Sequence, residues 1–135
     1  MRIPHARGQS FLATVLVIGA IIATVGVTLL FLANAFLGIG YGYRASVSSS
    51  AVAVSGAEDA LLKLDRDPGM SNTSYNISVG GQTAAVTITA GSPSSGEDTV
   101  VSTATVLGSR SAVTVVVGVN LETDKVWIIS WQATP

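Results

Sequence analysis

Carboxylate side chains occur in four close pairs, and pairs of acids can bind a cation or share general acid–base catalysis. The pairs are Glu58–Asp59, Asp65 with Asp67, Glu97–Asp98, and Glu122 with Asp124. Each pair flanks a predicted turn or helix end, where a solvated charge is the usual explanation. We therefore predict no catalytic residue, no metal site, no cofactor and no enzymatic activity.

Histidine and cysteine are nearly absent. The single histidine is His5, and the chain contains no cysteine. These counts exclude a histidine-based triad or histidine metal site in the C-terminal part, and they exclude disulfides and thiolate metal sites. The net charge of -1 provides no basic field, so nucleic acid is not a predicted partner.

A long apolar segment dominates the N-terminal third. No charged residue and no histidine lies between Arg7 and Arg44. About 20 apolar residues span a bilayer core of about 30 Å, so this segment is long enough to cross a membrane and continue beyond it. Tyr41 and Tyr43 beside Arg44 are typical of the far membrane–water interface. We predict a transmembrane helix over residues 9–43.

A short basic leader precedes this segment. Arg2 and Arg7 carry positive charge, which favours a cytoplasmic N-terminus and places the remaining chain outside the cell. Two other kinds of segment fit part of the pattern. A secretory signal peptide would use the Ala33-Asn34-Ala35 site, although its apolar region is normally only about 7–15 residues long. An uncleaved signal anchor would need no processing site.

Small residues recur along the apolar segment. Gly19 and Ala23 have the spacing that permits close approach of two helices, as do Gly38 and Gly42, and Gly26 lies between these pairs. One interpretation is packing of subunits through these positions. The other is the ordinary abundance of glycine in membrane helices.

Beyond Arg44 the pattern changes to an amphipathic helix over residues 44–67. Apolar residues recur at three- and four-residue spacing, and we predict that this stripe covers a sheet. The stripe consists of Val47, Ala51, Val54, Ala57, Leu61 and Leu64. Asp59 and Lys63 form a favourable pair one turn apart. The Asp67-Pro68-Gly69 sequence predicts the helix end.

Residues 70–135 alternate apolar and polar side chains with a period of two, which predicts strands. Gly80-Gly81 predicts a tight hairpin turn, Gly91 to Gly96 a loop, and Gly108-Ser109 a second turn. The fifth segment, Lys125 to Gln132, is apolar on both faces, and simple alternation puts Trp127 and Trp131 on one side. We expect four or five antiparallel strands with the helix as their cover.

The leader that ends at Gly8, followed by a long apolar helix, resembles the class III signal of type IV prepilins. That resemblance implies cleavage between Gly8 and Gln9 by a prepilin peptidase and methylation of Gln9, so that residues 1–8 are removed. Major pilins carry Glu at the fifth mature position, where this chain has Ala13, and this difference favours a minor subunit. The stretch from Ala57 to Leu64 is similar to one in PilX-like minor pilins and pseudopilins.

The resemblance implies an α+β, pilin-like fold and a structural role in a type IV pilus or pseudopilus. Implied partners are other pilin subunits, the peptidase, an assembly platform and the membrane. The subunit would reside in the cytoplasmic membrane with its head outside before it joins an extracellular pilus. The alternative is a signal-anchored, extracytoplasmic binding domain that never polymerises, in which Trp127 and Trp131 would mark a ligand face.

Overall fold

The computed structural model describes residues 6–70 and 72–134, and for residues 6–10 it describes the backbone alone. Helix α1 (Ala6–Arg66) precedes five strands: β1 (Thr73–Val79), β2 (Gln82–Thr89), β3 (Glu97–Val106), β4 (Ser109–Asn120) and β5 (Lys125–Thr134). Each strand pairs antiparallel with the next, in the order β1-β2-β3-β4-β5. The α+β class is confirmed: α1 is long and apolar in its N-terminal part, and its residues 42–66 pack on a five-stranded antiparallel sheet.

Two compact units divide the chain, Met1–Tyr41 and Gly42–Pro135. In the first, α1 is apolar and its described side chains are exposed. The hydroxyls of Thr24 and Thr28 donate to the carbonyls of Ala20 and Thr24, each at 2.8 Å. Because these hydroxyls find partners on their own helix, they are compatible with an apolar environment.

One helix of the described chain, Phe11–Arg66, is long and apolar enough to cross a membrane by length and composition. Its most apolar window has a mean hydropathy of 2.8, and none of that window is buried. A core helix of a soluble domain would be mostly covered by its own chain. The exposure therefore favours a membrane or other apolar surroundings for this segment.

In the second unit, the predicted helix end and the predicted hairpin turns are largely confirmed. Helix α1 ends at Arg66, directly before the Asp67-Pro68-Gly69 sequence. Gly80 and Gly81 both have positive φ, 57° and 79°, as the tight hairpin between β1 and β2 requires. The turn between β3 and β4 is one residue earlier than predicted. Val106 pairs with Ser109, so Leu107 and Gly108 form this turn.

The core lies between α1 and one face of the sheet, which we call the covered face; the opposite face is the open face. The α1 residues that are buried against the sheet are mostly small: Ala45, Ser49, Val52, Ala53, Ala57, Ala60 and Leu64. The predicted stripe was therefore partly wrong, because Val47 is 50% exposed and Ala51 is exposed. The helix contacts the sheet mainly through small residues, with Leu64 and Val52 as the larger apolar ones.

Gly56 explains this choice of residues. A Cβ atom at position 56 would overlap the Ser102 hydroxyl and would lie 3.0 Å from Ala84 Cβ and 3.1 Å from Val86 Cγ2. Helix and sheet therefore approach so closely here that only hydrogen fits at the helix surface. Near Gly56, the small Ala and Ser side chains of α1 allow the helix backbone to lie equally close to the sheet backbone.

The Ser102 hydroxyl has no hydrogen-bond partner although it is fully buried. An unpaired buried hydroxyl carries a desolvation penalty of about 1–3 kcal/mol. We expect Ser102→Ala to leave the free energy of unfolding unchanged or to raise it by up to about 1 kcal/mol. Denaturant unfolding of the full-length chain in detergent, followed by tryptophan fluorescence, measures this change. A clear loss of stability would contradict the assignment of Ser102 as an unsatisfied group.

A second buried serine provides the comparison. Ser111 is 2% exposed, and its hydroxyl lies 2.8 Å from the Ser49 hydroxyl and 3.2 Å from the Ser50 hydroxyl of α1. Ser111→Ala removes partners from a buried group, so it should be destabilising, by about 1 kcal/mol. The two serine-to-alanine variants should thus differ in the sign of their effect.

Candidate functional site

The predicted processing site falls at the edge of the structure. Gly8 and Gln9 belong to the stretch for which only a helical backbone is described, and residues 1–5 lie outside the described residues. The predicted cleavage between Gly8 and Gln9 therefore stays a prediction.

The predicted packing positions are open to partners. Beyond the adjacent residues and the backbone of its own helical turns, a Cβ atom built at Gly19, Gly26, Gly38 or Gly42 would meet no atom of the described chain within 4 Å, and Ala23 is exposed. The chain itself therefore leaves these positions uncovered. Their predicted role in packing against other helices stays a prediction.

The acid pairs do not assemble into one site. Among residues 6–70 and 72–134, no three side chains of His, Asp or Glu lie together as metal ligands. The expectation of solvated acids was wrong for Asp98, which is 6% exposed and accepts a hydrogen bond of 2.9 Å from the Gly91 amide. The adjacent Glu97 accepts a bond of 2.6 Å from the Ser94 hydroxyl. Both carboxylates fix the loop between β2 and β3.

One acid belongs to a three-residue cluster that joins α1 to the edge strand β1. The Asp59 carboxylate accepts a hydrogen bond of 2.8 Å from the Tyr75 hydroxyl and lies 2.9 Å from Lys63 Nζ. That ammonium group lies 3.3 Å above the centre of the Tyr75 ring, a cation–π geometry. The sequence predicted the Asp59–Lys63 pair, but nothing in it indicated that Tyr75 would complete the cluster.

The cluster shifts the pKa of all three groups. The hydrogen bond with Lys63, and after it the one from Tyr75, holds the pKa of Asp59 below its usual value. Burial alone would lower the pKa of Lys63, but its hydrogen bonds with Asp59 and Tyr75 leave that pKa raised. Burial and the hydrogen bond to Asp59 raise the pKa of Tyr75.

These directions predict a pH dependence. Because the pKa of Asp59 is lowered by folding, its contribution to stability is present above the ordinary value of about 3.9 and is lost as the pH falls through the folded pKa. At pH 7 we expect Asp59→Asn to lower the free energy of unfolding by less than about 1 kcal/mol, since the side chains of Asp59 and Lys63 are 38% and 40% exposed. Variant and parent should converge below about pH 4.

Unfolding curves at pH 7 and pH 3 test this expectation, with Glu58→Gln as a control that removes a carboxylate from the same helix outside the cluster. A difference between Asp59→Asn and the parent that stays constant between the two pH values would contradict an electrostatic origin.

Strand β5 carries the largest exposed apolar side chains outside the N-terminal unit and the turns. Trp127 is 50% exposed, Ile128 54%, Ile129 48% and Trp131 40%. The prediction that both tryptophans lie on one side was wrong. Val116 pairs with Ser130 whereas Val117 pairs with Ile128, so Ile129 is an extra, unpaired residue. This β-bulge inverts the alternation between the two tryptophans.

The cross-strand partners assign the faces. Trp131 pairs with the fully buried Val115 and therefore lies on the covered face. Trp127 pairs with Gly118, and its indole occupies the place of the missing Gly118 side chain on the open face. A single flat ligand platform built from both tryptophans is therefore excluded. No signal in the sequence of β5 marks the bulge, because its residues are apolar on both sides of it.

Comparison with known proteins identified no relative of this chain. The chain matches no protein-family model, no curated protein and no solved structure. A functional assignment therefore depends on the residues and geometry described above. The most informative of these are the uncovered apolar helix, its continuation onto the sheet, and the exposed edge strand.

Proposed function

We propose that the chain is a structural subunit, and specifically a minor one, of a type IV pilus or a related pseudopilus. The observation that carries this proposal is the dual character of α1. The helix is apolar and uncovered over Phe11–Tyr43, and then it becomes the buried cover of an antiparallel sheet. A filament subunit needs both properties, since its apolar part must move from lipid into contact with sister helices while its head stays folded.

The cost of exposing apolar side chains to water supports the transfer of α1 from lipid to contacts with sister helices. The exposed apolar side chains of α1 would each cost roughly 1.5–3 kcal/mol if left in water. Lipid removes this cost before assembly, and neighbouring helices would remove it afterwards. The uncovered glycines at positions 19, 26, 38 and 42 permit the close helix contacts on which association in an apolar medium depends.

The leader supports processing and membrane insertion as a prepilin. Its basic residues and Gly8 fit a prepilin peptidase that cuts at the cytoplasmic side and exposes Gln9 for methylation. The mature subunit would span the cytoplasmic membrane once, with the head outside, until an assembly platform adds it to a filament of other pilin subunits. This proposal assigns no catalytic residue and no cofactor.

The second candidate is an anchored binding domain that does not polymerise. The half-exposed Trp127 on the open face favours it, because an uncovered indole can stack on a ligand. The two functions differ in their need for Gly8, since a permanent anchor has no processing step.

A Gly8→Val variant separates the two functions. For a pilin-like subunit, we expect it to accumulate with the leader attached, so that its intact mass exceeds that of the parent by the leader residues. The matched control is Gly26→Val, the same change within the apolar segment, which should be processed like the parent. Loss of the leader from the Gly8→Val variant, or a parent that itself retains the leader, would contradict the proposed function.

A further inference from the structure

Strand β5 is an uncovered sheet edge. It lies last in the strand order, so one side of its backbone has no partner strand within the described chain. Strand β5 contains no proline, and Lys125 at its start is its one charged residue, so the only protective devices along this edge are that terminal lysine and the bulge at Ile129. The exposed parts of Trp127, Ile128, Ile129 and Trp131 lie on both faces of the strand and at its bulge, and together they amount to roughly 400 Å² of apolar surface along this edge, estimated from typical side-chain areas. An edge strand with this much exposed apolar surface is a candidate for pairing with another chain.

Strand β1 is the other edge of the sheet, and no further strand pairs with it within the described chain. On the covered face, β1 presents the partly exposed Tyr75, Ile77 and Val79, and β5 presents Val126, Ile128 and Trp131. On the open face, β1 presents Ser74, Asn76 and Ser78, and β5 presents Ser130 and Gln132 together with the half-exposed Trp127. Apolar residues would therefore meet apolar residues on the covered face, and on the open face the polar residues of β1 would meet the polar residues of β5 and the Trp127 indole.

The number of strands sets the direction of such a contact. Because all neighbouring strands are antiparallel and there are five of them, β1 and β5 run in the same direction. Two copies with the same orientation would therefore bring β5 of one copy beside β1 of the next as a parallel pair. Parallel pairing is a regular hydrogen-bonding arrangement, with slanted and evenly spaced bonds.

We propose that the β5 edge of one copy binds the β1 edge of a second copy, which continues the sheet from head to head. This inference rests on the proposed function, which supplies many copies that share one orientation. The contact is heterologous, so a pair of copies still offers one free β1 edge and one free β5 edge, and the assembly can grow. Copies in a membrane or filament would thus associate through their heads as well as through α1.

The β5 edge could instead pair with the β5 edge of a second copy, which is the alternative to the β5–β1 contact. A two-fold axis perpendicular to the sheet would relate the two copies and would reverse the direction of the packed part of α1 in the second one. Copies inserted with the same orientation by the same basic leader do not provide this reversal. In an assembly built by the heterologous contact, both edges of every interior copy have a partner strand.

The size of the contact agrees with a weak or intermediate association. The exposed apolar patch on β5 is about half of the roughly 800 Å² that each partner contributes to a standard interface. The backbone hydrogen bonds of the paired strands and the neighbouring groove extend it. That groove is lined by Leu61, Leu62, Val126 and Ile128, together with Trp127 and Asp65. Association that needs a shared membrane or filament suits an interface of this size.

Cysteine cross-linking tests the contact directly, because the chain has no cysteine of its own. One set of full-length chains carries a single cysteine on the open face of β1, at Ser74, Asn76 or Ser78. The other set carries one on β5, at Ser130 or Gln132, and a tag of different size. The two are co-expressed, and membranes are oxidised with copper phenanthroline. Neighbouring strands lie about 4.8 Å apart, within the range that a disulfide bridges.

We expect cross-linked dimers of mixed size for at least one β1–β5 combination, and no dimer when β5 cysteines are present alone. A chain that carries the productive pair should form a ladder of multimers. Dimers from Ser130→Cys alone would show the two-fold β5–β5 contact and overturn the proposal, as would the absence of mixed dimers at all six combinations. The control is Thr87→Cys, an exposed position on the open face of the interior strand β2.

A charge on the edge provides a second variant. Ile128→Lys should lower the yield of mixed dimers in the productive pair, because it places a charge in the apolar side of the contact. Leu121→Lys, a change at another exposed apolar residue outside the strands, should leave the yield unchanged. Equal yields for the two lysine variants would contradict the involvement of β5.

The same membranes distinguish failure of this contact from failure of the proposed function. Their intact mass reports whether the leader has been removed. Processed chains without mixed dimers would overturn only the edge contact. Chains that retain Met1 would contradict the proposed function, whatever their cross-linking.

Discussion

Gly56→Val is expected to destabilise the head domain by about 3 kcal/mol, the upper part of the range for overpacked cores. The closest atoms to the added Cβ belong to Ser102 and to two residues of β2, Ala84 and Val86. The Ser102 hydroxyl can rotate, but Ala84 and Val86 are buried and belong to a strand that is paired with β1 on one side and β3 on the other. Helix and sheet would have to separate, and the buried contacts on both sides of position 56 would loosen.

This loss is large against the 5–15 kcal/mol that usually stabilises a folded domain. Chemical denaturation of the full-length chain in detergent measures it, and both tryptophans lie in β5, so their fluorescence reports on the head alone. The matched control is Ala51→Val, which adds a side chain to an exposed position of the same helix and should cost less than about 1 kcal/mol.

A double variant locates the origin of the effect. Gly56→Ala should be less harmful in a Ser102→Gly background than alone, because the nearest obstructing atom is then absent. If Gly56→Val and Ala51→Val were equally stable, the close approach of helix and sheet would be wrong.

The second large effect concerns the membrane. We expect the double change of Ile22→Lys with Val25→Lys to displace the chain from the membrane. Both residues lie in the middle of the apolar run and are 67% and 53% exposed, so the chain provides no partner for the new charges. Each lysine at the centre of a transmembrane helix costs about 2.5–3.5 kcal/mol.

The fraction of protein that resists alkaline extraction from membranes measures this change. The control, Ile22→Leu with Val25→Leu, keeps the segment apolar and should behave like the parent. If the lysine variant remained as resistant as its control, insertion of this segment into lipid would be contradicted.

The architecture could be predicted because its signals are local. Four segments that alternate with a period of two, the apolar fifth segment, the Gly80-Gly81 turn and the Asp67-Pro68-Gly69 helix end each depend on neighbouring residues only. They predicted four or five strands, their order along the chain and the end of α1 to within a few residues, and the structure has five strands. The shift of the second turn to Leu107–Gly108 shows the limit, since a leucine at positive φ is not indicated by its type.

Packing details could not be predicted because they depend on residues distant in the sequence. The predicted stripe included the exposed Val47 and Ala51 because it was chosen from the spacing of apolar residues alone, whereas contacts such as the Gly56–Ser102 approach set which side of α1 faces the sheet. The bulge at Ile129 separates the two tryptophans without a change in composition. The buried Asp98 accepts a hydrogen bond from the Gly91 amide, 7 residues away, and no local pattern indicates that contact.

The candidate site, too, could be predicted from the sequence only in part. The positions that the sequence proposed for helix packing are uncovered by the chain, but the edge-strand patch emerges only from the strand order and the exposed fractions. Tyr75 joined the Asp59–Lys63 pair through a contact between α1 and β1 that no local pattern encodes.

The central claim is that the chain is a processed, pilin-like subunit. Its most direct test is the intact mass and N-terminal sequence of the protein purified from its native membrane. The proposal predicts a start at Gln9 with an N-methyl group. A start at Met1 would contradict processing and favour the anchored binding domain, and a start at Phe36 would identify a secreted domain.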